Sequence, residues 1–161
     1  MIILAFDQAT RTSGWSVYRD KELIAHGTFT FTDNNLGLRL WKIRQKVEEL
    51  YRKYLPDKIV YEDIQLQQNA INNVATFKSL AEVFGIIFEY ATELGVDNEA
   101  ILSGTWRKGL GIAGTKREQY KPNTQKWVKD NCGVSVSEDE ADAIAIGAYA
   151  AGIRNNCCRI L

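Results

Sequence analysis

The sequence predicts a mixed α/β fold in which helices cover a central sheet. Two observations support this prediction. The first third of the chain alternates apolar and polar residues at the two-residue period of strands, and the rest alternates short apolar runs with longer segments at helical spacing. With 161 residues, 45% of them hydrophobic and 25% charged, the chain fits one globular domain over residues 1–161.

Three strands are predicted in the N-terminal third. Residues 2–6 form a continuous apolar run that ends at Asp7, which is typical of a buried strand with an acid at its end. Residues 15–18 and 23–31 alternate in polarity, and a turn-prone segment over residues 19–21 separates them. We therefore expect an antiparallel meander.

A helix and a strand are predicted next. Apolar residues recur at helical spacing over residues 36–54, and Pro56 follows the end of this amphipathic helix. Residues 59–64 form a short apolar run that Glu62 interrupts, which indicates a buried strand carrying a second acid. A polar loop over residues 65–73 follows.

A second, unusually apolar helix is predicted over residues 74–94, where a wide apolar stripe stops at Gly95. Residues 100–102 indicate another short strand. Four glycines within residues 104–114 are mixed with basic and aromatic residues, and this mixture predicts a flexible basic segment.

Two further helices are predicted near the C-terminal end. Pro122 favours the first turn of a helix that runs to about Asn131. Ser137 followed three residues later by Glu140 has the capping-box pattern of a helix start, and a stripe of Ala and Ile residues follows it. The predicted order of elements is β-β-β-α-β-α-β-α-α.

Histidine and cysteine content argues against several kinds of chemistry. His26 is the single histidine, which disfavours a His-ligated zinc, a Ser-His-Asp triad and histidine-based acid–base catalysis. Cys132, Cys157 and Cys158 lack metal-binding spacing, and we interpret them as reduced.

Met1 leads into an apolar run too short for a signal peptide, and no stretch reaches the ~18 apolar residues of a membrane helix. We expect a cytoplasmic protein with no membrane partner.

Four acids stand out because each lies beside strongly apolar sequence, where a charge is costly. Asp7 ends a strand, Glu62 interrupts a strand, and Asp139 and Asp142 open a helix rich in Ala and Ile. Residues three apart share one face of a helix, so the last two can point together toward the sheet edge that carries the first two. Glu138 can share that face.

Clustered carboxylates without histidine suit Mg²⁺ or Mn²⁺, because the cation offsets repulsion that would otherwise raise the carboxylate pKa values. Two such ions about 4 Å apart can orient a water and stabilise the leaving oxygen of a phosphodiester. The alternative is structural: Asp7 ends a strand, Asp139 favours a helix N-terminus, and Glu62 faces solvent. The joint order of the acids favours the metal site.

Net charge gives no support for a nucleic-acid partner, because 20 Lys and Arg cancel 20 Asp and Glu. The basic residues are nevertheless concentrated over residues 107–129, which contain seven Lys or Arg. This segregation predicts a local basic face that binds DNA. The alternative is a set of solvated helix faces.

These motifs resemble the RuvC family of Holliday-junction resolvases over nearly the whole chain, especially short phage-encoded members. Ile3-Leu4-Ala5-Phe6-Asp7 with Ser13-Gly14-Trp15 is similar to the family's opening strand and turn, and Val60-Tyr61-Glu62-Asp63 is similar to its second acidic strand. Asp139-Glu140-Ala141-Asp142-Ala143-Ile144-Ala145-Ile146 is similar to its D-x-A-D-A-hydrophobic ending, which is the most specific match.

The resemblance implies a ribonuclease-H-like fold and the activity of a crossover junction endodeoxyribonuclease. It implies Mg²⁺ as cofactor, with Mn²⁺ as a substitute and two ions per active site. Asp7, Glu62, Asp139 and Asp142 would bind these ions and carry catalysis. It also implies a homodimer that cuts branched DNA, mainly four-way junctions, by paired symmetric nicks in the bacterial cytoplasm.

Basic residues at the active site are also implied by the resemblance. Arg107 matches the position of a family lysine and Lys108 matches its chemistry. Lys121 matches a second family lysine, with Lys116 and Arg117 as competitors. We expect all five to bind DNA, and Arg107 and Lys121 to act in catalysis by stabilising phosphate charge.

Two positions depart from the family pattern. Gln8-Ala9 replaces the Pro-Gly after the first acid, and Gln65 replaces an aromatic base-stacking residue. We therefore expect weak or no sequence preference at the cut site. The alternatives are a nuclease of the same fold that acts on forks, flaps or RNA–DNA hybrids, and a DNA-binding scaffold that has lost catalysis. The scaffold is favoured only where an acid is missing, and none is.

The helix over residues 74–94 is the predicted dimer contact. Its apolar stripe is wider than one sheet face requires and includes Phe77, Val83, Phe84, Ile87 and Phe88. The alternative is that it is simply the central buried helix of the monomer.

Overall fold

Five strands and five helices make up the part of the chain that the computed structural model describes, residues 1–65 and 74–154. In chain order they are β1 (Ile2–Asp7), β2 (Thr12–Arg19), β3 (Glu22–Thr30), α1 (Leu36–Tyr54), β4 (Lys58–Glu62), α2 (Val74–Glu93), β5 (Asp97–Ile101), α3 (Ser103–Leu110), α4 (Arg117–Cys132) and α5 (Glu138–Ala150). Cys157, Cys158 and all of the predicted polar loop except Gln65 lie outside the described residues.

The strands form a mixed sheet in the order β3-β2-β1-β4-β5. β1 pairs antiparallel with β2, and β2 pairs antiparallel with β3, so the predicted meander is confirmed. β4 is parallel to both β1 and β5. Because β1 and β4 are parallel neighbours, their carboxyl ends meet at one edge of the sheet.

The sheet separates two hydrophobic cores, and alternation along β1 shows which residue faces which core. Ile3 and Ala5 pack into the core shared with α5, whereas Leu4 and Phe6 pack into the core under α1 and α2. The two-residue period of a strand therefore directs Asp7 to the α5 face.

The prediction of a flexible segment over residues 104–114 is wrong, because α3 occupies most of it. Trp106 and Leu110 are four residues apart and both are almost completely buried against the α5 core. Gly111 adopts a positive φ of 70° and ends the helix. Burial of Trp106 and Leu110 outweighs the weak helix propensity of the glycines in this segment.

The predicted start of the next helix is also wrong. α4 begins at Arg117, so Pro122 lies inside the helix rather than in its first turn. Gln119 stabilises the earlier start, since its Oε1 accepts hydrogen bonds from the backbone N–H groups of Thr115 (3.1 Å) and Lys116 (3.3 Å). The ring of Pro122 removes one helical hydrogen bond, which this cap helps to offset.

The apolar stripe of α2 divides between the core and the surface. Val83 and Ile87 are buried beneath the sheet face and do not belong to an exposed patch. Phe84 is half-buried, whereas Phe88 is 50% exposed. Apolar as α2 is, no helix in the described part of the chain has both the length and the apolarity needed to cross a membrane.

Candidate active site

A cleft of about 600 Å³ opens at the sheet edge where β1 and β4 end. The four predicted acids all line it, together with three of the five predicted basic residues. The acids are Asp7, Glu62, Asp139 and Asp142, and the basic residues are Arg107, Arg117 and Lys121. The structure thus gathers residues from five separate elements into one concave surface.

Strand geometry directs the first two acids to the same side. Asp7 is the last residue of β1 and Glu62 is the last residue of β4. Val60, two residues before Glu62, packs into the core shared with α5, so both acids face that helix. Asp139 and Asp142 lie in the first two turns of α5, three residues apart.

Gly14 allows α5 to approach the strand ends. It pairs with Asp7 across β1 and β2, and a Cβ atom at this position would lie 2.0 Å from the backbone oxygen of Asp139. Gly147 makes a similar close contact further along, where a Cβ would lie 2.6 Å from the hydroxyl of Ser16. Two glycines therefore determine how near the acids of α5 come to Asp7.

The carboxylates of the cleft disfavour one another's charge. Burial raises the pKa of Asp7 well above its usual value, and the charges of Asp142 and Glu62 raise it further. Burial and the charge of Asp142 also raise the pKa of Glu62. Burial and mutual repulsion therefore both disfavour the ionised forms of Asp7 and Glu62.

Lys121 forms an ion pair within this group of carboxylates. Its ammonium forms an ion pair with Oδ2 of Asp142, and the two side chains are only 9% and 5% exposed. Burial raises the pKa of Asp142, and the nearby ammonium offsets part of that rise. The other oxygen, Oδ1 of Asp142, is buried and has no hydrogen-bond partner among the described residues.

The α3 helix that sequence reasoning missed supplies one wall of the cleft. Nε1 of Trp106 donates a hydrogen bond to Oε2 of Glu62 (3.2 Å). The guanidinium of Arg107 donates to Oγ of Ser103 (2.9 Å) and stacks over the ring of Tyr120 at 4.0 Å. Consecutive residues of α3 therefore orient an acid and hold a cation at the cleft.

The remaining basic residues lie in different surroundings. Arg117 lines the cleft and is paired with Glu138 (2.7 Å), so Glu138 contacts a cation rather than Asp142. Lys108 projects from α3 into a neighbouring cavity that shares Gln65 with the cleft. Lys116 is exposed at the start of α4 and does not line the cleft. Three of the five candidates therefore face the acids.

Sequence reasoning overlooked Gln8, Trp106 and Tyr120 as contributors to the site. Gln8 was noticed only as a departure from the family pattern, although its side chain bonds to the backbone of Glu62. The single available signal was its position directly after Asp7. Trp106 and Tyr120 had no local signal, because their contacts with the site depend on the packing of α3 and α4.

Oxygen donors for a hard cation are present, but they are not assembled around one point. No group of three or more His, Cys, Asp or Glu side chains within residues 1–65 and 74–154 has the geometry of a preassembled metal site. The ammonium of Lys121 is instead the positive charge held by Asp142. Any cation bound here must therefore compete with this ion pair.

No protein-family model matches the chain, but its curated relatives share one name. The chain is 24% identical over 164 residues to a protein from Orientia tsutsugamushi (strain Ikeda) named crossover junction endodeoxyribonuclease RuvC, covering 96% of this chain and 97% of the relative. A protein of the same name from Dictyoglomus thermophilum is 26% identical over 155 residues, covering 91% and 93%.

A solved structure supports the same fold. T. thermophilus RuvC in complex with Holliday junction substrate superposes with a TM-score of 0.73 at 15% identity, covering 96% of this chain and 98% of that chain. The mixed sheet with helices on both faces is therefore the ribonuclease-H-like fold predicted from the sequence. The chain is therefore similar to RuvC proteins in sequence and in fold over nearly its full length.

Proposed function

We propose that this protein is a metal-dependent endonuclease that resolves four-way DNA junctions by paired symmetric nicks. The observation that carries the proposal is the convergence of Asp7, Glu62, Asp139 and Asp142 on one cleft that also contains Arg107 and Lys121. Relatives over the full length are named crossover junction endodeoxyribonucleases, and a structural neighbour was solved with a Holliday junction. The acids supply the chemistry expected of such an enzyme, and the basic residues supply contacts for phosphate.

The four carboxylates would hold the cations, with Mg²⁺ as the proposed ion, Mn²⁺ as a substitute and two ions per site. The donor set fits, because these are oxygen ligands whose mutual repulsion a cation relieves, and Oδ1 of Asp142 is buried without a partner. When bound, divalent cations supply charge neutralisation and activate water for attack on phosphorus.

The basic residues of the cleft would contact the DNA backbone. Arg107 is preorganised by Ser103 and Tyr120, so its guanidinium is held at the cleft before DNA binds. Lys121 is held among the acids by Asp142 and would be released to phosphate when a cation takes its place. We propose that Lys108, Lys116 and Arg117 contact DNA outside the cutting position, with Lys108 in the neighbouring cavity.

A homodimer would be needed for this activity, because two nicks in strands related by two-fold symmetry require two active sites. The exposed part of α2 is our proposed contact. Phe88 is 50% exposed and stacks on Phe84 at a ring separation of 6.5 Å, while the same helix packs on the sheet through Val83 and Ile87. A second copy would cover the exposed aromatic pair.

We place the enzyme in the cytoplasm, and a phage source stays a prediction of the resemblance.

Cleavage of synthetic substrates tests the proposal. Purified protein is mixed with a labelled four-way junction, a replication fork, a flap or an RNA–DNA hybrid, each with Mg²⁺, with Mn²⁺ or with excess EDTA. We expect symmetric nicks in the junction with 5′-phosphate and 3′-hydroxyl ends, and none in EDTA. Preferential cutting of the fork, flap or hybrid would favour a nuclease of the same fold with that substrate. Tight junction binding without cutting would favour a DNA-binding scaffold that has lost catalysis.

A further inference from the structure

The side-chain amide of Gln8 bridges the two strands that end at the cleft. Its Nε2 donates to the backbone oxygen of Glu62 (2.6 Å), and its Oε1 accepts from the backbone N–H of Glu62 (3.1 Å). Gln8 is only 6% exposed, so both bonds are shielded from water. One side chain therefore satisfies both backbone groups of a residue 54 positions further along the chain.

The bridge lies where the backbone pairing between β1 and β4 stops. The last paired residues are Phe6 and Tyr61, so the two acids, Asp7 and Glu62, follow directly after the end of the ladder. A primary amide offers the same donor and acceptor as a peptide group. Gln8 thus extends the pairing of the two strands by one residue, using its side chain in place of the backbone.

Like charges at the strand ends oppose this pairing. Asp7 and Glu62 face the same side of the sheet, and their carboxylates repel each other. The turn that follows is anchored separately, because the hydroxyl of Ser13 accepts from the N–H of Ala9 (3.0 Å) and donates to its oxygen (3.0 Å). The amide of Gln8 therefore adds two hydrogen bonds that resist separation of the two acids.

We propose that Gln8 is a positioning residue that sets the spacing of Asp7 and Glu62 for cation binding, acting through the backbone of Glu62. The role of Gln8 in cation binding and cleavage rests on the proposed function, whereas its hydrogen bonds to Glu62 are observed in the structure. Replacing a group that orients metal ligands without touching the metal typically lowers metal affinity or activity by about 10–100-fold. Gln8 and Ala9 together stand where the family pattern has Pro-Gly, a dipeptide with no side-chain amide.

Two variants and one matched control test the role of Gln8. Gln8→Met preserves the length and bulk of the side chain but removes both hydrogen bonds. Gln8→Asn keeps the amide but is one methylene shorter, so it cannot span the gap, and it serves if the Met variant does not fold. Gln125→Met is the control, because it removes a comparable bond from a Gln amide to the backbone oxygen of Val136 (2.8 Å) in α4, outside the cleft.

The first readout is Mn²⁺ affinity measured by titration calorimetry on DNA-free protein. We expect both Gln8 variants to bind Mn²⁺ about 10-fold or more weakly, and Gln125→Met to bind it like the wild type even where its Tm falls. On junction DNA, kcat of the Gln8 variants should fall about 10–100-fold with KM for DNA nearly unchanged. This split separates positioning from loss of stability, which lowers Tm alone.

Wild-type Mn²⁺ affinity and kcat in a folded Gln8 variant would overturn the inference, as would equal losses in Gln125→Met. If the wild type binds Mn²⁺ but cuts no junction, the proposed function fails, while the calorimetry of the Gln8 variants still decides the positioning role. If the wild type does not bind Mn²⁺, the inference is overturned together with the cation assignment.

Discussion

Gly14→Ala is the substitution that most directly tests how the site is assembled. The new Cβ atom would lie 2.0 Å from the backbone oxygen of Asp139 and 2.5 Å from its carbonyl carbon. Ordinary contact begins near 3.4 Å, so the start of α5 must move by about 1.4 Å. The obstacle is backbone, so no rotamer change relieves it. The displacement carries Asp139 and Asp142 away from the strand ends.

Both stability and activity should respond. Overpacking of this kind costs about 1–3 kcal/mol, and each kcal/mol lowers the Tm of a domain of this size by about 2–4 °C. A misplacement of about 1 Å at reacting groups can lower the rate about 100-fold. We therefore expect a lower Tm in thermal melts and a loss of junction cleavage of about that size in assays run well below the Tm.

Gly85→Ala is the matched stability control. A Cβ atom at Gly85 meets nothing within 4 Å, and the residue lies inside α2. Alanine should stabilise this helix by up to about 1 kcal/mol. Wild-type Tm and cleavage in Gly14→Ala would refute the steric argument. A lower Tm with an unchanged cleavage rate would refute only the link between helix position and catalysis.

Three further predictions follow from charge and exposure. Because the pKa of Asp7 is raised by folding, the cation-free protein should lose stability as pH rises above the usual value of 3.8. Asp7→Asn should then raise the Tm in EDTA near neutral pH, with no gain below about pH 4. The same variant should lose cleavage but still bind the junction, and an unchanged Tm at neutral pH would contradict this prediction. Lys121→Met should lower the free energy of unfolding by about 3–5 kcal/mol, because it leaves a buried carboxylate unpaired, and it should reduce cleavage. Lys58→Met, at a more exposed pair with Glu99, should cost only about 0–1 kcal/mol. Equal losses for the two variants in denaturant titrations and cleavage assays would count against a local DNA-binding groove. Phe88→Asp should yield a folded monomer by light scattering that no longer makes paired cuts, and a persistent dimer would exclude this face of α2 as the contact.

Local patterns in the sequence were sufficient to predict most of the fold and to single out four acids that the structure brings to one cleft. The two-residue alternation of the first strands and the helical stripes of α1, α2 and α5 are properties of neighbouring residues, and burial of one face enforces them. Asp7 and Glu62 were identifiable because a charge beside a buried strand requires a partner or a function. The Asp139 and Asp142 pair followed from helical spacing.

Only the tertiary structure decided which side chains support and surround these acids. α3 forms because Trp106 is buried by distant residues, and α4 starts early because Gln119 caps it, so local glycine and proline signals pointed the wrong way. Arg107 and Lys108 are adjacent in sequence, yet helical geometry directs one into the cleft and the other into the next cavity. The contacts of Gln8 with Glu62, and of Gly14 with Asp139, join residues far apart in the chain. Such contacts depend on how completed elements pack together, and no periodicity within a single segment encodes them.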